Sequence, residues 1–94
     1  MKDQLIKLHD EFVGKGMPPL TIITNRNKDL WLRPYLIEWI EKKHDILVYA
    51  DPIKQHTLQY RIVTQDNEII GSETFDNWEQ AIEKALQEAI KLIE

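Results

Sequence analysis

Residues 76–94 read DNWEQAIEKALQEAIKLIE, and they constrain the fold more than any other stretch of the chain. Trp78, Ala81, Ile82, Ala85, Leu86, Ala89, Ile90 and Ile93 recur at intervals of three and four, the spacing that stacks side chains on one side of a helix. Glu79, Gln80, Glu83, Lys84, Gln87, Glu88 and Lys91 take the opposite side and face water. The spacing predicts a helix over 76–93, N-capped by Asp76 with Glu79 reaching back to the cap. Ala81, Ala85 and Ala89 form a narrow strip that lets this helix approach a sheet closely. Such a helix is a lid, and the rest of the chain has to supply the layer beneath it.

Strand patterns precede it. Residues 46–50 (ILVYA) read as a strand that Asp51-Pro52 ends. Residues 57–64 alternate, with Leu58, Tyr60 and Ile62 on one face and Gln59, Arg61 and Val63 on the other. That is the pattern of an antiparallel strand with one wet face. Gln65 to Glu68 supply a turn, and residues 69–75 return as a third strand with Gly71 as a weak point or bulge.

A helix over 32–43 comes before these strands, with Pro34 accommodated in its first turn. Its buried stripe is Leu32, Leu36, Ile37 and Ile40, with Trp39 at the margin, and Lys42, Lys43 and His44 suit the negative end of the helix dipole. Further upstream, residues 2–13 read as a short amphipathic helix presenting Leu5, Leu8 and Phe12, stopped by Gly14 and Gly16 and barred from continuing by Pro18-Pro19. Residues 20–24 (LTIIT) read as a strand at the sheet edge or paired with another chain.

At 94 residues this is one globular unit, read as an N-terminal helix and strand over 1–27, a candidate arm, and an α-β-β-β-α domain over 28–94. The expected fold class is α+β in the order α-β-α-β-β-β-α. Its mainly antiparallel sheet has three strands, or four if 20–24 joins, and two helices pack on one face. The core is expected from Leu36, Ile40, Val48, Leu58, Tyr60, Ile62, Phe75, Ile82, Leu86 and Ile90.

Chemistry is sparse. Cysteine is absent, which removes disulfides, thiolate metal sites and a cysteine nucleophile, and suits a cytoplasmic protein. His9, His44 and His56 fall in different elements without ligand spacing, so no metal site is expected. The one serine, Ser72 in Gly71-Ser72-Glu73, lacks the elbow that exposes a hydrolase nucleophile. Gly14-Lys15-Gly16 lacks the spacing of a phosphate-binding loop and reads as a linker. No signal-peptide pattern opens the chain and no apolar run reaches the ~20 residues of a membrane span. Of the tryptophans, Trp39 and Trp78 are assigned to the core and Trp31 to the surface.

Two resemblances emerge from this order. Helix, three strands and helix over 32–94 resembles the double-stranded RNA-binding domain, which implies two helices on one face of a three-stranded sheet. That family opens its second helix with lysines over the RNA major groove. Here Asp76-Asn77-Trp78-Glu79-Gln80 stands in that place, and a negative helix start repels phosphates. WIEKKHDI at 39–46 and FDNWEQAIEKALQEAIKLI at 75–93 are similar to small uncharacterised proteins of Bacteroides-group bacteria and their phages or prophages. That resemblance implies a small accessory protein of mobile-element origin, with no activity to carry over.

The functional expectation is a non-enzymatic protein-interaction module without cofactor, binding another protein or its own copy through the strand at 20–24. The alternative is a nucleic-acid-binding domain that uses Arg26, Lys28, Arg33, Lys42 and Lys43. A net charge of −4, from 12 basic and 16 acidic residues, disfavours that alternative.

Overall fold

The computed structural model describes residues 4–20 and 28–93. Along them run α1 (Gln4–Gly14), α2 (Lys28–His44), β1 (Leu47–Lys54), β2 (Thr57–Val63), β3 (Glu68–Ile70) and α3 (Trp78–Ile90). The class is α+β: a three-stranded antiparallel sheet in the order β1-β2-β3, with helices packed on it. α3 lies across β1 and β2, α2 packs beside it against β1, and α1 rests on both helices. The expected strand at 20–24 falls, from Thr21 onward, outside the described residues.

In α1, Leu5, Leu8 and Phe12 are buried at helical spacing. Gly16 then reverses the chain at φ +102°, a backbone conformation that side-chain-bearing residues resist, and delivers Met17 into the interior. These four residues belong to the same hydrophobic cluster as Leu36, Ile62 and Leu86, so α1 shares the core of the sheet and its helices.

α2 starts four residues earlier than expected, at Lys28, which moves Pro34 from the first turn to the second. There a proline leaves the carbonyl four residues before it without its helical donor. Leu32 and Leu36, both fully buried, flank Pro34 and hold the helix together across the gap. Packing outweighs local preference here, as it commonly does in helices. At the other end, Asp45 takes φ +56°, tolerated by aspartate, and its N–H closes on the Glu41 carbonyl at 3.0 Å.

β1 runs through Asp51-Pro52 instead of ending there. The register places Pro52 opposite Leu58, whose own N–H and C=O bond to Phe75 on the far side. The Pro52–Leu58 pair is therefore of the non-hydrogen-bonded kind, and the N–H that proline lacks would have pointed to the sheet edge. A two-residue turn at Gln55-His56, with His56 at φ +60°, leads into β2.

β3 is shorter than the expected 69–75. It stops at Ile70; beyond it the Gly71 N–H still bonds to the Tyr60 carbonyl at 3.0 Å, and Phe75 bridges back to β2 through Leu58. Gly71 sits where the chain passes closest to that strand. It is buried opposite Tyr60, and a Cβ there would lie 2.1 Å from that ring, so the tyrosine occupies the space a side chain would need. The ring of Phe75 stands tilted to it with the ring centres 6.5 Å apart.

α3 is capped by Asn77, not Asp76. The Asn77 side chain accepts the Gln80 N–H at 2.9 Å, and helical geometry begins at Trp78. Ala81, Ile82, Ala85, Leu86, Ala89 and Ile90 are buried as the spacing requires, and Ile93 is buried just beyond the helix end. Trp78 is in register with that stripe yet 43 % exposed, against its assignment to the core. Periodicity gives the face of a helix but not the length of the layer covering it. Of the expected core, Leu58 and Phe75 are half-buried and the other eight residues are buried.

Candidate interaction surface

Leu32, Leu36 and Ile40 point α2 into the core, which turns a neighbouring stripe of the same helix outward. Trp31, Tyr35 and Trp39 follow one another at intervals of four along that stripe. Each is held differently. The Trp39 ring meets Phe12 of α1 edge-on at 5.8 Å and His44 at 4.9 Å. The Tyr35 hydroxyl donates to the Pro18 carbonyl, pinning the segment that follows α1. His9 assists from α1, its Nε2 accepting the Leu20 N–H at 3.1 Å, which requires the ring proton on Nδ1. Trp31 lies beyond these supports and is 55 % exposed, as the sequence suggested.

Two shallow hollows lie along the stripe. One, of about 320 Å³, is lined by Tyr35, Glu38, Trp39, Lys42 and Lys43. The other, of about 230 Å³, is lined by Leu20, Trp31, Pro34, Tyr35 and Glu38. Glu38 accepts a hydrogen bond from Lys42 Nζ at 2.7 Å, one turn along the exposed surface. That bond, and the charge behind it, raise the Lys42 pKa above the ordinary lysine value.

Of the basic residues named from sequence, the three whose side chains are described do not converge on one surface. Arg33 points inward, with Nη2 2.8 Å from Glu83 Oε2, and only 11 % of its side chain is exposed, so it ties α2 to α3. Lys42 and Lys43 border the larger hollow, with Glu38 beside them. Arg26 and the side chain of Lys28 lie outside what is described. Among the described residues, then, two of the five share a surface and a third is engaged in an interhelical ion pair.

The outer face of the sheet is the second exposed region. Strand alternation turns Val48, Tyr60 and Ile62 towards the helices and leaves Leu47, Tyr49, Arg61, Val63 and Ile70 on the other side. Arg61 is held at the centre by Glu68, Nη1 to Oε1 at 2.6 Å, and by Asp51, Oδ2 3.0 Å from Nε. The Glu68 hydrogen bond, then Asp51, push the Arg61 pKa up. Both carboxylates lie against the guanidinium, Glu68 through a hydrogen bond and Asp51 as an ion pair that leaves Nε without one, so this face presents an ion cluster between apolar side chains.

Among the described residues, no group of three His, Cys, Asp or Glu side chains could hold a metal ion, and no helix is long and apolar enough to cross a membrane. A scan against family models and searches of curated proteins and solved structures each gave no match.

Sequence reasoning singled out Trp31 but missed that Tyr35 and Trp39 continue its row. The signal was present in the interval of four. It was masked by starting the helix at 32, which left Trp31 outside it.

Proposed function

We propose that this chain is a non-enzymatic protein-interaction module whose contact surface is the aromatic flank of α2. The observation that carries this reading is the row of exposed Trp31 and half-buried Tyr35 and Trp39 beside two hollows. Exposed aromatic side chains supply large contact area at little entropic cost and dominate protein interfaces. Among the described residues, the displaced pKa values have structural causes: Glu38 for Lys42, Glu68 for Arg61, burial for Tyr60, and Lys91 for Glu88. An origin among the small uncharacterised proteins of Bacteroides-group bacteria and their phages or prophages, which residues 39–46 and 75–93 resemble, would suit an accessory, cytoplasmic role of this kind. Pairing in trans through 20–24 would be an additional contact on residues outside the described ones.

Nucleic acid is the second reading, favoured by Lys42 and Lys43 beside Tyr35 and Trp39, since bases stack on aromatic rings near cations. Glu38 in the same lining opposes it by repelling phosphate. A photoreactive benzoylphenylalanine at position 31, irradiated in cells, separates the two. The module reading expects an adduct at 31 that resists nuclease and is degraded by protease. A nuclease-sensitive adduct would replace it with the nucleic-acid reading.

A further inference from the structure

The two hollows on α2 follow one another along the helix and share Tyr35 and Glu38. The α2 positions lining the smaller are 31, 34, 35 and 38, and 35, 38, 39 and 42 repeat them four residues on in the larger; Leu20 completes the smaller hollow and Lys43 the larger. Four residues of helix advance about 6 Å, roughly one turn. Two hollows one turn apart match two large side chains at i and i+4 of a second helix lying along the first. Their rims differ in charge. Glu38 borders both and is paired with Lys42, whereas Lys43, at the larger hollow, has no hydrogen-bond or ion-pair partner among the described residues. The excess charge at that end is positive, on a chain whose net charge is −4.

Resting on the interaction-module reading, we propose that the α2 flank binds an amphipathic helix of a partner protein. That helix carries two large apolar residues four positions apart, with a carboxylate placed over Lys42 and Lys43. From Trp31 to Lys43 the flank is about 18 Å long, enough for three turns of such a helix. Polynucleotide is the poorer occupant, because the lining is mainly ring and aliphatic surface and Glu38 borders both hollows. A second copy of this chain is also a poor match. Among the described residues, its other exposed large apolar side chains are Leu47, Ile53, Ile69 and Ile70 on strands, the isolated Trp78, and Leu92 beyond the end of α3. None of these forms an exposed i, i+4 pair on a helix.

The test uses a displayed library of sixteen-residue peptides (about four helical turns) on a helix-favouring framework, randomised at two positions four apart and at their neighbours. Selection on the full chain is expected to enrich Leu, Ile, Phe or Trp at both positions and Asp or Glu within a turn of one. Trp31→Ala, and separately Lys42→Glu with Lys43→Glu, should each weaken the selected peptide at least about tenfold. Replacing the peptide's acid by Lys should restore binding to the Glu variant. These positions are exposed, and unchanged urea midpoints would show that the variants remain folded. No enrichment, or enriched peptides without the spacing or acid, overturns the proposal. Peptides that bind but ignore the α2 variants and respond to Ile70→Ala sink the groove and leave the module standing. Salt-sensitive binding of labelled duplex RNA that displaces the peptide overturns both.

Discussion

α2 and α3 are the two long helices, and each carries an exposed tryptophan, but they use their apolar surface in different ways. α3 lays one stripe, from Ala81 to Ile90, onto the sheet and buries it, leaving Trp78 alone at its first turn. α2 buries a comparable stripe of Leu32, Leu36 and Ile40 and then carries a second one, Trp31, Tyr35 and Trp39, on a flank where the layers leave it partly open. An isolated exposed aromatic needs no explanation, since much of any folded surface is apolar. A row of three beside two hollows is what the proposed contact surface rests on. The difference teaches that α3 spends its apolar surface on the fold, while α2 does so and leaves a second stripe partly uncovered.

The first way to break that comparison is through α1, which props the α2 flank from behind. Phe12→Ala removes a fully buried ring that meets Trp39 and should lower stability by about 3–5 kcal/mol in urea denaturation. A loss below about 1 kcal/mol would detach α1 from the core and remove the support given to Trp39. Gly71→Ala forces the Tyr60 ring to move beneath α3, and a cost of about 1–3 kcal/mol is expected in the same assay. Asn77→Ala should cost about 1 kcal/mol while Asp76→Ala costs little, and the reverse order would return the α3 cap to Asp76.

A smaller effect is alkaline. Burial, and then the charge of Glu88, raise the Tyr60 pKa above its ordinary value near 10. The folded state therefore resists ionisation of this phenol. Tyr60 contributes stability that is complete below the unfolded pKa and lost as pH rises through the folded one. Between pH 9 and 11 (about one unit either side of a free tyrosine) Tyr60→Phe should flatten the fall in stability seen in the parent chain. Equal slopes would show that the ring is not desolvated. Least affected should be the exposed tryptophans: Trp31→Ala and Trp78→Ala are each expected within about 0.5 kcal/mol of the parent. A large loss at Trp31 would make it a structural residue and take away the contrast between the helices.

Much of this fold was legible in the sequence. The α+β class, the three-stranded antiparallel sheet and the buried stripe of α3 follow from periodicity and turn residues; Trp31 was expected at the surface as a residue ahead of its helix, and it is exposed although it lies within α2. What was not legible depended on neighbours in space. Pro34 in a second turn is tolerated because Leu32 and Leu36 are clamped by other elements. Pro52 stays in β1 because its register pairs it with Leu58, whose backbone groups are bonded elsewhere. Trp78 is exposed because the layer under α3 does not cover its first turn. The candidate surface was hidden for a related reason. Tyr35 and Trp39 carry the helical interval of both stripes, and only the packing of α1 and the sheet decides which stripe is covered.

The three tryptophans also provide the most direct test, because their indole N–H signals report separately on the two helices. In a ¹⁵N-correlated spectrum of the labelled chain, the best library-selected helical peptide should move the Trp31 and Trp39 indoles and leave Trp78 in place. Movement of Trp78 with Trp31 and Trp39 unchanged would put the binding surface on the other helix and contradict the account.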